Sequence, residues 1–301
     1  MWHARHSGYP PLAVKWPQSR EATLKEWRVL TELASAGMPV AAPRFLADTE
    51  AFFAIDWIEG HAVTQLLKTP ARHKHLEAIG AWIARLHRIN RTSIKHWDAF
   101  RWFDRLQKEW ATMRDDPVCI AAQERFRMLV HRTGSLDVTH AITHGDFQQY
   151  NILTTDAGPV GFDMFRYGQK NFAMFDLANF LVSIQAKYVD KTSQFSAVAE
   201  QDTKALLAGY GPLAPGDRAL LDVLMARVVV NRLHRWPQIE RITKGRRTRG
   251  MLVLDASAGF TGSAGRVPPT QTPPAIAHPR TGPTGVAGRN KHQTMCEIVP
   301  N

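Results

Sequence analysis

Apolar residues in the first 57 positions follow strand-like and helix-like spacings in turn. Residues 12–16, Leu-Ala-Val-Lys-Trp, have the composition of a short strand. Residues 22–36 predict a helix, because large apolar side chains recur every three positions and Gly37 ends the pattern. Those side chains are Leu24, Trp27, Leu30 and Leu33. Two apolar runs, 44–47 and 51–57, predict further strands, so a small sheet is expected to pack against one helix.

Beyond Gly60 the pattern becomes mainly helical. One helix is predicted to bury Leu76, Ile79, Ile83 and Leu86, and a second to bury Phe100, Phe103, Leu106, Trp110 and Met113. Residues 138–163 interrupt this rhythm with short strand-like pieces and turns. Helical spacing returns at 175–188 and at 218–234. A small sheet-containing part followed by a larger helical part is typical of an α+β fold.

The last stretch of the chain, residues 251–301, loses all periodicity. Pro, Gly, Thr and Ala dominate it, as in Val-Pro-Pro-Thr-Gln-Thr-Pro-Pro at 267–274. Such a segment cannot bury enough apolar surface to offset the entropy of ordering it. We therefore expect a disordered tail.

Composition excludes several classes of protein. No apolar run approaches the 18 or so residues of a membrane helix, and the N-terminus lacks the apolar core of a secretory signal. We therefore expect a cytoplasmic protein without a membrane partner. The two cysteines, Cys119 and Cys296, are too far apart for a zinc motif or a disulfide framework. His73 and His75 stand two apart, which puts them on different sides of a helix.

The formal charge is +11, from 38 Lys and Arg against 27 Asp and Glu. Apart from the cluster at 246–249, these basic residues are dispersed, as on an ordinary solvated surface. Nucleic-acid binding therefore stays a secondary hypothesis, which a salt-dependent gel shift would support.

The residues that point to chemistry lie at 144–151, His-Gly-Asp-Phe-Gln-Gln-Tyr-Asn, and at Asp163. Phosphoryl transfer needs a carboxylate that accepts the proton of the attacking hydroxyl, and oxygen ligands that hold Mg²⁺ against the phosphates. Asp146 and Asn151, with four residues between them on one tight loop, supply a base and a metal ligand. Asp163, on the following hairpin, supplies a charged ligand to the same ion.

This motif resembles the signature of the aminoglycoside phosphotransferase and choline kinase superfamily, which reads His-Gly-Asp, four residues, Asn, then a hairpin Asp. Protein kinases carry Arg at the position of Gly145, so the resemblance favours small-molecule kinases. Lys15, in Ala-Val-Lys, resembles the strand lysine that binds the α and β phosphates of ATP. Glu26 resembles the helical partner of that lysine, although Glu21 is a rival by helical register. Residues 54–60 resemble the hinge that meets the adenine.

The resemblance implies a two-lobed, protein-kinase-like α+β fold, with ATP and Mg²⁺ bound in the cleft between the lobes. The expected lobes are residues 1–57, which bind the nucleotide, and residues 58–250, which carry the catalytic and acceptor sites. His144 is expected to brace the loop rather than act as a base, and Asp176 to cap a helix or orient that loop. The implied reaction moves the γ-phosphate of ATP to a hydroxyl of a small molecule, with Asp146 as the base. The alternative is a catalytically impaired nucleotide-binding or regulatory protein with the same fold.

Two further expectations concern the ends of the site. The family hairpin that covers the phosphates needs roughly 20 residues, but only 14 precede Lys15. At most one strand of that hairpin fits, so we expect an incomplete first lobe and weak activity. From Leu177 to Gly250 the sequence has twelve Lys and Arg against six Asp and Glu. That balance favours a neutral or anionic acceptor over a polycationic aminoglycoside.

Overall fold

The structure is a computed structural model. It describes residues 2–4, 10–17, 19–49, 51–89, 92–111, 117–164, 166–188 and 195–235. The predicted disordered tail at 251–301 lies outside the described residues, as do the basic cluster at 246–249 and Met113.

The first part of the chain forms a four-stranded antiparallel sheet with one helix, as predicted. Its elements are β1 (Trp2–Ala4), β2 (Leu12–Lys15), α1 (Arg20–Ser35), β3 (Pro43–Leu46) and β4 (Phe53–Asp56). The strand order is β1-β2-β4-β3, so β2 is a central strand. Pairing of β2 with β4 sets Lys15 opposite Phe53. One described strand, β1, precedes the lysine strand.

The register of α1 differs from the predicted one. Ser19 caps the helix by accepting a hydrogen bond from the Ala22 amide at 3.2 Å. The buried residues are Thr23, Glu26, Val29, Leu30 and Leu33. Leu24 and Trp27 are only partly buried, because the buried face is rotated toward the polar Glu26. One buried position of the helix is thus occupied by a carboxylate, that of Glu26.

The second part is mainly helical, as predicted, with two small antiparallel sheets. Its elements are β5 (His61–Ala62), α2 (Val63–Leu66), α3 (Arg72–Ile89), β6 (Ser93–Trp97), α4 (Ala99–Trp110), α5 (Pro117–Thr133), β7 (Leu136–Thr143), β8 (Ile152–Thr155), β9 (Gly158–Gly161), β10 (Gln169–Phe172), α6 (Met174–Tyr188), α7 (Phe195–Tyr210) and α8 (Pro215–Arg235). The sheet orders are β10-β7-β6 and β5-β8-β9. No helix in these described ranges has the length and apolarity needed to cross a membrane.

The predicted buried face of α4 was wrong at Phe100, which is 46% exposed. Asp98 caps this helix by accepting a hydrogen bond from the Arg101 amide at 2.9 Å. The residues that face the core are Ala99, Trp102, Phe103, Leu106 and Trp110. The core position that the sequence pattern assigned to Phe100 is therefore filled by Trp102, two residues further along the helix. The face predicted for α3 is confirmed, since all four of its residues are fully buried.

Three helices, α2, α5 and α7, were not predicted. The axes of α3 and α7 approach so closely that a Cβ at Gly80 would lie 2.0 Å from the Leu206 carbonyl oxygen. Glycine at that position is required by the contact, because a side chain would meet the backbone of the neighbouring helix. Arg72 adds a buried ion pair to Asp202 across the same interface.

Candidate active site

The loop between β7 and β8 is anchored by its own apolar residue. Phe147 is fully buried between two aromatic rings. Its ring stacks on Trp82 of α3, with centroids 5.6 Å apart, and on Phe180 of α6, with centroids 5.0 Å apart. Stacked aromatic pairs of this kind add to the energy of simple area burial. Asp146 and Gln148, on either side of Phe147, are therefore held in defined positions.

Asp176, in the first turn of α6, orients the same loop. Its carboxylate accepts hydrogen bonds from the backbone amides of His144 at 2.7 Å and Gly145 at 3.0 Å. Nε2 of His87, on α3, lies 3.0 Å from Oδ2 of Asp176, the oxygen that also accepts from the His144 amide. The second ring nitrogen of His87 lies 2.9 Å from the Tyr210 hydroxyl. Of the two roles expected for Asp176, the geometry shows loop orientation. A buried polar chain thus links α7 to the loop.

His144 is a structural residue of the loop, as expected. The ring is fully buried, and its Nδ1 accepts a hydrogen bond from the Asp146 amide at 3.4 Å. Its Nε2 has no hydrogen-bond partner within the described part of the chain. Burial lowers the pKa of His144 below its ordinary value, in spite of the carboxylates of Asp176 and Asp146. The neutral imidazole therefore braces the backbone of Asp146.

The backbone conformation at position 145 requires glycine. Its φ is +81°, in the region where only glycine is unstrained. A Cβ there would lie 2.9 Å from the Cβ of Arg166. Any larger residue would force either the loop or the segment around Arg166 to move.

The two carboxylate oxygens of Asp146 differ in their hydrogen bonding. Its Oδ1 accepts a hydrogen bond from the Gln148 side-chain amide at 2.6 Å. Among the described residues, no donor reaches Oδ2. Asn151 donates from its side chain to the Asp146 carbonyl at 2.7 Å, which fixes the amide of Asn151 with its own oxygen not engaged by any described donor. A carboxylate oxygen and an amide oxygen are thus both left for other partners.

The hairpin β8–β9 brings Asp163 to the same end as Asn151. Ile152 pairs with Gly161, and the Phe162 amide donates to the Asn151 carbonyl at 3.1 Å. Asp163 follows directly, with φ at +63°. It is the one residue other than glycine with positive φ in the described ranges. Asp tolerates this left-handed conformation better than most residues with a Cβ.

Lys15 joins the two parts of the chain at this point. Its ammonium forms an ion pair with Glu26, and a second with Asp163 at 2.9 Å. Glu26 also accepts a hydrogen bond from the Met164 amide at 3.1 Å. Glu21 is exposed in the first turn of α1, so the structure selects Glu26 of the two rival carboxylates.

The charges around Lys15 set its protonation. Burial by itself lowers the pKa of Lys15, but the carboxylates of Glu26 and Asp163 outweigh it and the net pKa is raised. Burial also raises the pKa of Glu26, against the attraction of the Lys15 ammonium. Lys15 is therefore a fixed positive charge between two carboxylates.

The donor set at the base of the hairpin fits Mg²⁺. Carboxylate and amide oxygens are the ligands this ion prefers, and Mg²⁺ keeps several waters or binds substrate phosphates when protein ligands are few. Asp163 supplies charge, and Asn151 supplies an amide oxygen that no described donor engages. Within the described residues there is no cluster of three or more His, Cys, Asp or Glu that could enclose a metal. The residues therefore suit a metal shared with a phosphate ligand.

Comparison with protein families decides the broad identity. The profile described as "Phosphotransferase enzyme family" matches residues 4–216 of the chain. The chain belongs to the phosphotransferase enzyme family. The resemblance inferred from the motif at 144–151 is thereby confirmed. No curated protein sequence matches this phosphotransferase.

Solved structures show the same fold at low sequence identity. An amicoumacin kinase in complex with AMP-PNP, Ca²⁺ and Ami has a TM-score of 0.56 at 14% identity, covering 86% of this chain and 85% of that one. A choline/ethanolamine kinase family protein from Mesorhizobium loti has a TM-score of 0.56 at 16% identity, covering 83% of this chain and 86% of that one. A macrolide 2′-phosphotransferase from Brachybacterium faecium has a TM-score of 0.55 at 17% identity, covering 90% of this chain and 88% of that one. The kinase-like α+β fold predicted from the sequence is confirmed.

Three residues of this phosphotransferase next to Asp146 were missed by the sequence analysis. The Tyr150 hydroxyl donates to the Gln148 side-chain oxygen at 2.6 Å. The guanidinium of Arg232, on α8, lies 3.4 Å from the same oxygen. Gln148 and Tyr150 lie inside the motif and differ from its fixed positions. Arg232 gave one usable signal, a charged residue two positions after the apolar run at 228–230 of a helix.

Proposed function

We propose that this phosphotransferase transfers the γ-phosphate of ATP to a hydroxyl group of a small molecule, with Mg²⁺ as the metal. The observation that carries the proposal is the meeting of Lys15, from β2, with Asp163, from the hairpin, at 2.9 Å. This contact puts the proposed phosphate-binding cation beside the proposed metal-binding carboxylate. Asp146 and Asn151 stand at the end of the same hairpin.

In the proposed reaction Asp146 is the general base. Its Oδ2, which no described residue engages, accepts the proton of the acceptor hydroxyl. The hydroxyl oxygen then forms a bond to the γ-phosphorus, and the bond from that phosphorus to the bridging oxygen breaks to release ADP. The Gln148 amide holds the other carboxylate oxygen at 2.6 Å and so fixes the direction of Oδ2.

Asn151 and Asp163 are the proposed ligands of Mg²⁺, which when bound neutralises charge on the transferred phosphoryl group. Lys15 is proposed to bind the α and β phosphates. Its position is held by Glu26, whose carboxylate is fixed in turn by the Met164 amide at 3.1 Å. This chain of contacts ties α1 to the residue that follows Asp163, so phosphate and metal ligands keep a constant geometry.

His87 and Asp176 are proposed positioning residues. They touch neither nucleotide nor acceptor in this scheme. Asp176 accepts from the amides of His144 and Gly145, and His87 contacts the Asp176 carboxylate. A catalytic carboxylate must lie within hydrogen-bond reach of the proton it takes. The buried hydrogen bonds behind the loop would hold the carboxylate of Asp146 within that reach.

A screen for phosphorylated products tests the proposal. The full chain is incubated with Mg²⁺ and ATP and with mixtures of sugars, amino alcohols, hydroxy acids and antibiotics, and products are identified by mass spectrometry. Asp156→Asn provides a matched control, since Asp156 is an exposed carboxylate at the tip of the β8–β9 hairpin. We expect one acceptor class to gain a phosphoryl group in wild type and control. Tight ATP binding without any product would favour the regulatory alternative instead.

A further inference from the structure

Arg232 is a half-buried cation whose hydrogen bonds go only to neutral groups. One of its terminal nitrogens lies 3.4 Å from the Gln148 side-chain oxygen and 3.4 Å from the Asn179 carbonyl. Among the described residues, no carboxylate comes within ion-pair distance of the guanidinium. Buried charged groups are normally paired. Burial lowers the pKa of Arg232, against the longer-range attraction of Tyr150 and of the Asp146 carboxylate.

The position of Arg232 links it to the proposed base. Gln148 stands between the two, with its nitrogen on Asp146 at 2.6 Å and its oxygen facing Arg232. The Tyr150 hydroxyl shares that oxygen at 2.6 Å. One side-chain amide therefore separates the guanidinium from the carboxylate that would take the acceptor proton.

The chemistry of this arrangement selects a ligand. A guanidinium offers several N–H donors in a planar fork, which matches the oxygens of a carboxylate or a phosphate. An anion that replaced the two long contacts of Arg232 would give its charge the partner that the described residues do not provide. Burial raises the pKa of Tyr150, so its phenol keeps the proton. That O–H donates to Gln148 in this structure, and it would turn from Gln148 to the anion on binding.

We propose that Arg232 and Tyr150 form the binding site for an anionic group of the acceptor. The acceptor is then a small alcohol that carries a carboxylate or a phosphate, a few bonds from the hydroxyl that reaches Asp146. The inference rests on the proposed function, because it places the anion relative to the proposed base. It agrees with the excess of basic residues between Leu177 and Gly250.

Direct binding tests this site without a need for turnover. The probes are two matched pairs, hydroxypropanoate with hydroxypropanamide and glycerol phosphate with glycerol, and ethanolamine as a cation. Each is titrated by calorimetry into the full chain saturated with Mg²⁺ and a non-hydrolysable ATP analogue. We expect at least one anion to bind more tightly than its neutral partner. The pair that shows the preference tells carboxylate from phosphate.

Variants then assign the preference to Arg232. A lost charge-assisted hydrogen bond reduces affinity by about 10- to 100-fold. The affinity of Arg232→Gln should fall by that factor for the anion and stay unchanged for the neutral probe. Arg232→Lys, which keeps the charge but not the planar fork, should lose less. Arg218→Gln removes the same charge from an exposed site on the same helix and should match wild type.

Several results would overturn the inference. They are equal affinity of anionic and neutral probes, no binding of either anion, tighter binding of ethanolamine, or an Arg232→Gln variant that keeps the preference. Weaker binding of the ATP analogue in Arg232→Gln would assign the residue to the nucleotide instead. If Arg232→Gln does not fold, Arg232→Lys carries the comparison. Anion binding through Arg232 without phosphorylation would uphold this site and contradict the proposed phosphotransfer.

Discussion

The ammonium of Lys15 lies 2.9 Å from the carboxylate of Asp163, although 148 positions separate them along the chain. Lys15 ends a central strand of the first sheet, and Asp163 follows the second strand of a hairpin in the helical part. The contact therefore crosses the boundary between the two lobes. Together with the ion pair between Lys15 and Glu26, it brings three charged side chains of the candidate site together.

Replacing Lys15 by Met should reduce both stability and nucleotide binding. The side chains of Lys15 and Glu26 are only 11% and 3% exposed, so the variant leaves a buried carboxylate without its cation. Loss of one partner from a buried pair costs about 3–5 kcal/mol. Thermal denaturation measures the first effect and calorimetry with Mg-ATP the second. Lys25→Met, at an exposed position of α1, is the control.

The double variant of Lys15→Met with Glu26→Leu separates these two effects. It removes the orphaned carboxylate as well, so stability should return toward wild type while ATP affinity stays low. Recovery of ATP binding in the double variant would show that Lys15 does not contact the phosphates.

Two substitutions of Asp163 should have the same effect on metal-dependent binding but different effects on stability. Both Asp163→Asn and Asp163→Ala remove the charge proposed to attract Mg²⁺, so Mg-ATP affinity should fall in each. Asn tolerates the positive φ of +63°, whereas Ala is strained there by about 1 kcal/mol. Only the Ala variant should therefore lose additional stability. Unchanged Mg-ATP affinity, with Asp156→Asn as reference, would remove Asp163 from the site.

The sequence predicted the parts of the fold whose signals are local. Helices α1 and α3 followed from the helical spacing of their apolar residues, and strands β2 and β4 followed from short apolar runs. Helix α7 was missed, since its buried residues are Ala199, Asp202 and Leu206, which include one large apolar side chain. A carboxylate on a core face breaks the apolar pattern, and its partner Arg72 comes from another helix.

The site shows the same division between local and distant signals. Asp146, Asn151 and Asp163 were predicted because a single loop and hairpin carry them. Lys15 and Glu26 came from the family resemblance, and the structure brings both to Asp163. Arg232 reaches the site only through the packing of α8 behind the loop, which no spacing in the sequence encodes.

Replacing Asp222 by Asn should stabilise the protein above neutral pH. Burial raises the pKa of Asp222 from 3.8 to about 6, against the attraction of Arg218 and Arg132. The folded state therefore binds a proton more tightly than the unfolded chain, and this favourable contribution disappears as pH rises through 6. At about pH 8 the Asn variant should gain roughly 1–2 kcal/mol, and at about pH 4 almost nothing. Denaturant titrations at both pH values measure the difference, and an equal gain at both would contradict it.

The central claim is that Asp146 is the base of a phosphoryl transfer from ATP. Asp146→Asn keeps the size of the side chain and removes its ability to take a proton. With an acceptor identified by the product screen, transfer should fall by about 10²- to 10⁴-fold, while calorimetry should give an unchanged affinity for Mg-ATP. Asp156→Asn should behave as wild type in both measurements. Near-wild-type transfer by Asp146→Asn would contradict the account, because no base would be missing.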